Sequence, residues 1–306
     1  MNKKTSMRDP FFDTLYELAK QDRNVVVVSA DMGAPSLDRW RTDIPGQYVN
    51  VGIAEQSAIT VASGLALSGK KPYVFAIMPF ITSRIHEFLK LELALMKLPI
   101  TVVGVGAGYS YEDSGPTHHS VEDISIVRAL PNITILSASD SVMASAFAKM
   151  TYHSNQPAYV RLDRMNQPEI HNPSERFEDG FNELKQGEDI CIVATGNMVA
   201  NALEVQRQSL EQGRQVGVID LYRLKPVNPS LGDVLSRYKR IISLEEHLLD
   251  GGLGSILSEI ITDAGLPLRL RRIGVTDYNY EYGGRDYIQK KMGIDVDVVM
   301  EVIKYW

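Results

Sequence analysis

The sequence predicts an α/β fold in which a doubly wound, mostly parallel sheet is followed by a second, smaller α/β domain. Runs of β-branched residues without polar alternation, such as NVVVVSAD at 24–31, are typical of strands buried on both faces. Helical segments separate these runs, and such alternation indicates parallel strands. A polar stretch in the middle of the chain interrupts the pattern, which therefore predicts two domains.

The first domain is predicted over residues 1–170 and alternates strands with helices. Its strands are predicted at 24–31, 71–78, 98–108, 132–139 and 157–162. Its helices are predicted at 10–22, 55–69, 80–96, 121–130 and 141–154. The order of these elements favours a sheet with helices on both faces.

A polar segment, residues 164–189, separates the first domain from the second. It contains prolines and many charges but few aliphatic side chains, and we place the linker at 171–187. The second domain is predicted over 188–306. Its strands are predicted at 189–196, 215–222, 240–247 and 268–275, with helices at 198–213, 229–237 and 252–264.

Composition limits the classes of function. The 306 residues are 44% hydrophobic and 23% charged, which is typical of a globular protein. A net charge of −6 argues against a surface for nucleic acid or an anionic membrane. The single cysteine, Cys191, lies in an apolar run, excludes an internal disulfide and fits a reducing compartment. No secretion signal and no apolar run near the roughly 20 residues of a membrane helix is evident, so a cytoplasmic protein is expected.

A carboxylate occupies an unusual place in the motif GIAEQ at 52–56. Glu55 stands at the start of a predicted apolar helix, directly after a predicted turn. One interpretation is a first-turn acid that the helix amides stabilise. The other is a carboxylate that faces a ligand at the carboxyl edge of a parallel sheet, where ligands of such folds bind.

Two adjacent histidines follow a predicted turn in the motif GPTHH at 115–119. His118 and His119 cannot both face one metal as two histidines at helical i, i+4 spacing would, and the spacing of a zinc site is absent. One of them is a candidate for proton transfer or hydrogen bonding to a substrate. The alternative is a pair of solvated loop histidines.

Glycine-rich stretches give weaker signals. EEHLLDGGLGS at 245–255 opens a predicted helix, whose free amides could bind an anion, but it is not a GxGxxG motif. Ser36 in SADMGAPS is predicted either to cap a helix or to face a ligand. The sequence contains neither a Walker A motif nor the GDG triplet that begins a thiamin diphosphate/Mg²⁺ site.

Together, these motifs resemble the C-terminal half of transketolase, and most closely the separate C-terminal subunit of split bacterial transketolases. The resemblance runs from about Arg8 to the end of the chain, in consistent order. It is carried by GIAEQ (52–56), GPTHH (115–119), VEDISIVRALPN (121–132), RMNQP (164–168) and EEHLLDGGLGS (245–255). It implies a first domain that binds the pyrimidine ring of thiamin diphosphate and a transketolase C-terminal domain, with Mg²⁺ and the diphosphate held by a partner subunit.

The resemblance assigns cofactor roles to three residues. Glu55 matches the glutamate that hydrogen-bonds the pyrimidine ring nitrogen and so assists proton transfer, which requires a carboxylate in a dry pocket. Phe80 matches an aromatic residue that packs on the ring. Relatives often place a second aromatic residue where this chain has Ile77, so a more aliphatic pocket is expected.

It also assigns substrate roles. His118 matches a histidine that contacts substrate oxygens and transfers protons. Arg8, Ser36 and Arg164 fall near positions that bind the substrate phosphate or hydroxyls, and arginine suits phosphate because of its planar donors. No metal ligand is expected in this chain.

Two departures from the family pattern concern substrate choice. Ser114 stands where the family has an aspartate that binds the donor hydroxyl, with Asp113 one place away. Gly104 is interpreted as the position of a histidine in the strand before this loop. Both changes predict a pocket that disfavours at least one standard ketose phosphate.

The expected function is transfer of a two-carbon ketol unit from a ketose phosphate to an aldose phosphate, by a transferase that is active only with its partner subunit. Two copies of this chain are expected to join two copies of that subunit in a heterotetramer. One alternative is half of another thiamin diphosphate enzyme, such as a deoxyxylulose phosphate synthase or an oxo-acid dehydrogenase beta subunit; Gly104 favours it because a pyruvate-using enzyme needs no ketose-reading histidine. A non-catalytic assembly partner is a further alternative, against which the retention of Glu55 argues.

Overall fold

The computed structural model describes residues 4–306, which form a seven-stranded, a five-stranded and a two-stranded sheet. The strands, in chain order, are β1 (Lys4–Thr5), β2 (Val25–Ser29), β3 (Tyr48–Asn50), β4 (Lys71–Ile77), β5 (Thr101–Val105), β6 (Thr134–Ser137), β7 (Ala158–Leu162), β8 (Gln167–Pro168), β9 (Phe181–Lys185), β10 (Ile190–Ala194), β11 (Val216–Leu221), β12 (Arg223–Lys225), β13 (Arg240–Leu248) and β14 (Arg269–Val275).

Helices connect most of these strands. The α-helices are Arg8–Ala19, Pro35–Asp43, Glu55–Leu67, Met78–Ile81, His86–Phe88, Asp123–Arg128, Ser141–His153, Met198–Glu211, Ser230–Leu235, Leu253–Asp263, Arg285–Lys291 and Val296–Tyr305. Pro45–Gln47 and Ser83–Ile85 are 3₁₀ turns, and Leu89–Leu95 is a π-helix.

The first sheet has the strand order β12-β6-β7-β5-β4-β2-β3 and is parallel except for its edge strand β12. Its central strands are buried on both faces, as their apolar runs predicted. In β2, Val28 packs into the hydrophobic cluster on one face and Val27 into the cluster on the other. Val74 and Phe75 of β4 likewise pack into the clusters on opposite faces of the sheet. This two-sided burial confirms the doubly wound sheet.

The second sheet has the order β14-β13-β10-β11-β9, with β9 the antiparallel strand at one edge. β9 lies within the stretch interpreted as a linker. It forms because Phe181 and Leu184 pack against the cores despite their charged neighbours. β12, in turn, follows β11 yet pairs with β6 of the first sheet. The second unit therefore supplies an edge strand to the first sheet, and the exact domain boundaries remain a prediction.

The predicted helix at 80–96 is wrong in detail. The chain there forms separate short helical pieces because Thr82 leaves helical geometry, with φ −123° and ψ −79°, and its hydroxyl donates to the Met78 carbonyl at 2.7 Å. Sequence analysis gave no bounds for the helix Pro35–Asp43, which it considered only through Ser36, and it missed β3 and the last two helices. Among residues 4–306, no helix has the length and apolar character needed to cross a membrane.

A buried ionic network joins the two domains. Arg285 of the second domain pairs with Glu246 at 2.5 Å and with Asp163 of the first domain at 2.7 Å. The same Glu246 accepts the backbone N–H of Tyr109 at 3.0 Å. Because removing one member of a buried pair costs several kcal/mol, this network fixes the loop after β5 against the second domain.

A second polar contact anchors the interdomain segment. The ring of His171 lies 2.6 Å from Glu175 and 3.1 Å from Asp220, which belongs to β11. Burial acts to lower the pKa of His171, but hydrogen bonding and the charge of Asp220 outweigh it and raise the pKa to about 9. The histidine is therefore protonated at neutral pH and holds the segment to β11.

Candidate active site

The candidate site lies at the carboxyl edge of the first sheet, where parallel strands bring their following segments together. The helix that begins with Glu55 follows β3, and Gly52, at φ +74°, permits the turn between them. Phe80 lies in the short helix Met78–Ile81, which follows β4. The loop that contains His118 follows β5. Segments far apart in sequence therefore meet at one edge.

Glu55 is buried, with 3% of its surface exposed, in the first turn of its helix. Arg84 Nη1 donates to Glu55 Oε2 at 2.8 Å. The Arg84 guanidinium also lies 4.1 Å above the centre of the Phe80 ring. Arg84 therefore contacts both residues that were predicted to hold the cofactor ring, and sequence analysis did not identify it.

Phe80 and His118 are neighbours, with ring centres 5.2 Å apart in an edge-to-face arrangement. Thr117 Oγ1 lies 3.0 Å from Nδ1 of His118. His119, by contrast, is buried and packs edge-on against Tyr109, and burial lowers its pKa. Only the first histidine of the pair therefore joins Phe80.

A cavity of about 480 Å³ opens beside these groups. Phe80 and Arg84 line it together with Glu122, whose pKa is raised by burial. Tyr278 and Tyr280, from the second domain, complete the wall. The second domain thus contributes directly to the surroundings of the candidate site, which the sequence did not indicate.

Three of the predicted substrate residues make side-chain contacts in the structure, and their roles remain predictions. Arg8 Nε and Ser36 Oγ both donate to Asp9 Oδ1, each at 3.0 Å. Ser36 lies inside its helix and does not cap it, so that alternative is wrong. Arg164 stacks 4.6 Å from the centre of the Tyr111 ring. Asp9 and Tyr111 therefore connect residues that the sequence proposed separately.

Two other predicted positions have different surroundings. Ser114 is half-buried, its amide donates to the Tyr111 carbonyl, and its hydroxyl lies 3.3 Å from the Asp113 carboxylate. Ile77, half-buried, ends β4 three residues before Phe80. Both positions adjoin the candidate site along the chain, and their roles remain predictions.

Gly104 does not have the surroundings that the sequence interpretation requires. It lies within β5, and a Cβ at this position would lie 3.1 Å from Met78 Cγ and 3.2 Å from Tyr159 Cε2. Met78 and Tyr159 are both buried core residues. A side chain here would therefore enter packed core, and the structure gives no support to a lost substrate-reading group at Gly104.

The glycine motif of the second domain is not an open anion site. Glu245 accepts the backbone N–H of Leu253 at 2.6 Å and of Gly254 at 2.7 Å. Burial raises the pKa of Glu245 to about 8. The first helical amides are therefore occupied by the Glu245 side-chain carboxyl group, which locks the helix to β13.

The chemistry of the described residues fits the pyrimidine end of thiamin diphosphate. A buried carboxylate beside an aromatic face suits a flat, nitrogen-containing ring. Within residues 4–306, no group of three or more His, Cys, Asp or Glu side chains is arranged to bind a metal ion.

Comparison with known proteins agrees with this geometry. The family described as transketolase, pyrimidine binding domain, matches residues 3–169, and the one described as transketolase, C-terminal domain, matches residues 180–299. One of the subunits of the apulose-4-phosphate transketolase of Phocaeicola vulgatus is 35% identical over 96% of this chain and 95% of its own length. The 1-deoxy-D-xylulose-5-phosphate synthase of Methylacidiphilum infernorum is 33% identical over 95% of this chain but only 47% of its own length.

A solved structure is similar over nearly the entire chain. It is described as a split gene transketolase in an inactive beta4 tetramer, and it superimposes with a TM-score of 0.88 at 29% identity, covering 99% of this chain and 98% of that one. Both domains, in the same order, are present. The chain therefore belongs to the transketolase family and corresponds to the C-terminal subunit of its split members.

Proposed function

We propose that this protein is the C-terminal subunit of a thiamin diphosphate-dependent transketolase that transfers a two-carbon ketol unit from a ketose phosphate to an aldose phosphate. The observation that carries the proposal is the meeting of Glu55, Phe80 and His118 at the carboxyl edge of the sheet in the pyrimidine-binding domain. Glu55 and Phe80 both contact Arg84, and Phe80 contacts His118.

In this proposal the chain's own residues orient the pyrimidine ring of the cofactor and hold a proton at its ring nitrogen. Glu55 holds a proton at the pyrimidine ring nitrogen, and its buried position strengthens that hydrogen bond. Phe80 presents its ring face, and Ile77 adds an aliphatic contact. Thiamin diphosphate supplies the electron sink for the carbon that is transferred.

The remaining residues act on the substrate. His118 transfers protons at substrate oxygens near the reacting carbonyl. Arg8 and Arg164 bind the substrate phosphate, and Ser36 and Ser114 bind hydroxyl groups. The stacking of Arg164 on Tyr111 and the hydrogen bonds of Arg8 to Asp9 support these roles because they pre-orient the guanidinium groups.

A larger partner subunit completes the site in this proposal and holds Mg²⁺ and the diphosphate. Two comparisons support such a partner. The Phocaeicola relative is named as one subunit of its enzyme, and the similar solved structure is described as an inactive tetramer. Exposed apolar residues near Glu55 also support it, since such clusters mark interfaces. They lie on or beside the helix Glu55–Leu67 and the π-helix Leu89–Leu95 and include Ile53, Val61, Leu67, Leu91, Leu95 and Met96. Two copies of each subunit would form the heterotetramer.

The test is reconstitution. This chain is purified with a larger subunit that contains a GDG motif, and ketol transfer is measured with thiamin diphosphate and Mg²⁺. We expect activity with both subunits and none with either alone. Micromolar cofactor binding and ketol transfer by this chain alone would contradict the proposal.

The alternative is half of a deoxyxylulose phosphate synthase-like enzyme or an oxo-acid dehydrogenase beta subunit. The similarity to the Methylacidiphilum synthase favours the first of these. The same reconstituted complex distinguishes them, because ketose phosphates support only the transketolase reaction whereas pyruvate and other 2-oxo acids support the alternatives. Turnover with a 2-oxo acid but with no ketose donor would select the alternative.

A further inference from the structure

We propose that Tyr111 is a specificity-determining residue whose ring limits the length of the sugar phosphate that the site accepts. The proposal rests on the proposed function and goes beyond it by naming a residue that selects among aldose phosphate acceptors by their length. Tyr111 is not among the residues that the sequence assigned.

The position of the ring carries the argument. The Tyr111 ring lies 5.9 Å from that of His118, and the Arg164 guanidinium stacks 4.6 Å from its centre. Tyr111 therefore contacts both the residue proposed to act at the substrate carbonyl and one proposed to bind its phosphate. We therefore place the substrate beside this ring when it reaches both residues.

The backbone beneath the ring is shaped to receive it. Gly106 has φ +110°, a conformation that disfavours side chains, and a Cβ at this position would overlap the ring, with Cδ2 of Tyr111 2.7 Å away. The ring therefore packs directly on the backbone at the end of β5. It fills a space that any larger residue at position 106 would close.

The positive charges of Arg164 and Arg8 lie near the Tyr111 ring, and the guanidinium of Arg164 stacks on it. Burial raises the pKa of Tyr111, although the charges of Arg164 and Arg8 act to lower it, so the hydroxyl is neutral at physiological pH. A neutral ring under a guanidinium gains cation–π attraction. Both arginines thus act on the same aromatic side chain, at the end of the site that we assign to phosphate.

The consequence concerns substrate length. A three-carbon aldose phosphate has its aldehyde and phosphate close together, and in this proposal it reaches His118 and Arg164 with the ring in place. A five-carbon aldose phosphate carries additional carbons that must occupy the volume of the ring or displace it from Gly106. Tyr111 therefore favours the shorter acceptor.

The experiment compares two acceptors in the reconstituted complex. The ratio of kcat/KM for glyceraldehyde 3-phosphate to that for ribose 5-phosphate is measured for the wild type, Tyr111→Ala and Tyr111→Phe. Tyr111→Phe is the matched control, because it retains the ring and loses only the hydroxyl. We expect Tyr111→Ala to shift the ratio toward ribose 5-phosphate by about tenfold or more, and Tyr111→Phe to keep it near the wild-type value.

This ratio is insensitive to partial misfolding, since both acceptors are measured in one preparation. Tyr111→Leu, which retains apolar packing on Gly106, replaces Tyr111→Ala if the latter does not assemble, with a shift in the same direction expected. An unchanged ratio in the truncated variant, or an equal shift in Tyr111→Phe, would overturn the inference. Absence of ketol transfer by the wild-type complex would instead refute the proposed function.

Discussion

Arg84 gives the sharpest prediction, because it contacts both residues that the proposed cofactor site requires. Its guanidinium is paired with Glu55 Oε2 at 2.8 Å and stacked 4.1 Å from the centre of the Phe80 ring. If the pyrimidine ring occupies those same groups, both contacts must be released when the cofactor binds. Replacing Arg84 with methionine, an uncharged flexible side chain, should therefore tighten cofactor binding.

The magnitude follows from the two contacts. The Arg84 side chain is 41% exposed, and an exposed ion pair contributes about 0.2–1 kcal/mol. Cation–π attraction at an exposed site contributes about 0.5–1 kcal/mol. Together the contacts amount to roughly 1–2 kcal/mol, which corresponds to a change of roughly 5- to 30-fold in the dissociation constant.

The assay is calorimetric titration of the reconstituted complex with thiamin diphosphate in the presence of Mg²⁺. Arg207→Met is the matched control, since Arg207 also pairs with glutamates but is exposed on the surface of a second-domain helix. It should leave the dissociation constant unchanged, and melting temperatures would confirm that both variants fold. Weaker binding by Arg84→Met would refute the reasoning and make Arg84 part of the cofactor site.

Three further predictions follow from single residues. Glu55→Gln should lower the turnover of the reconstituted complex by a factor of roughly 10²–10⁴ while the melting temperature stays close to that of the wild type. Near-normal steady-state turnover would rule out the role assigned to Glu55. Because the folded-state pKa of His171 is raised to about 9 from its ordinary value of 6.5, its contribution of at most roughly 3 kcal/mol should be complete below pH 6.5 and lost as the pH rises through 9. Urea unfolding across that range should show a falling free energy of unfolding in the wild type but not in His171→Gln. If the free energy of unfolding changed equally with pH in both proteins, the assignment would be contradicted. Gly104→Ala should lower the free energy of unfolding by about 1–3 kcal/mol through overpacking, and a changed donor preference in its kinetics, with stability intact, would restore the original interpretation of Gly104.

The local pattern of the sequence determined much of the fold. β-Branched runs identified the central strands, because a strand buried on both faces needs apolar residues at successive positions. The order of the motifs identified the family, and the comparisons confirm it. The motifs also singled out Glu55 and His118, and the family resemblance added Phe80. These residues meet because segments that follow parallel strands come together at one edge of the sheet.

Only the tertiary structure decided which side chains contact one another. Arg84 meets Glu55 because Thr82 breaks the predicted helix, and the crossing of β12 into the first sheet depends on pairing between distant segments. The Tyr111 ring can lie against the backbone at Gly106 because residue 106 has no Cβ. Residue type and spacing specify which faces are buried, but contacts between distant segments arise from packing, which no local pattern encodes.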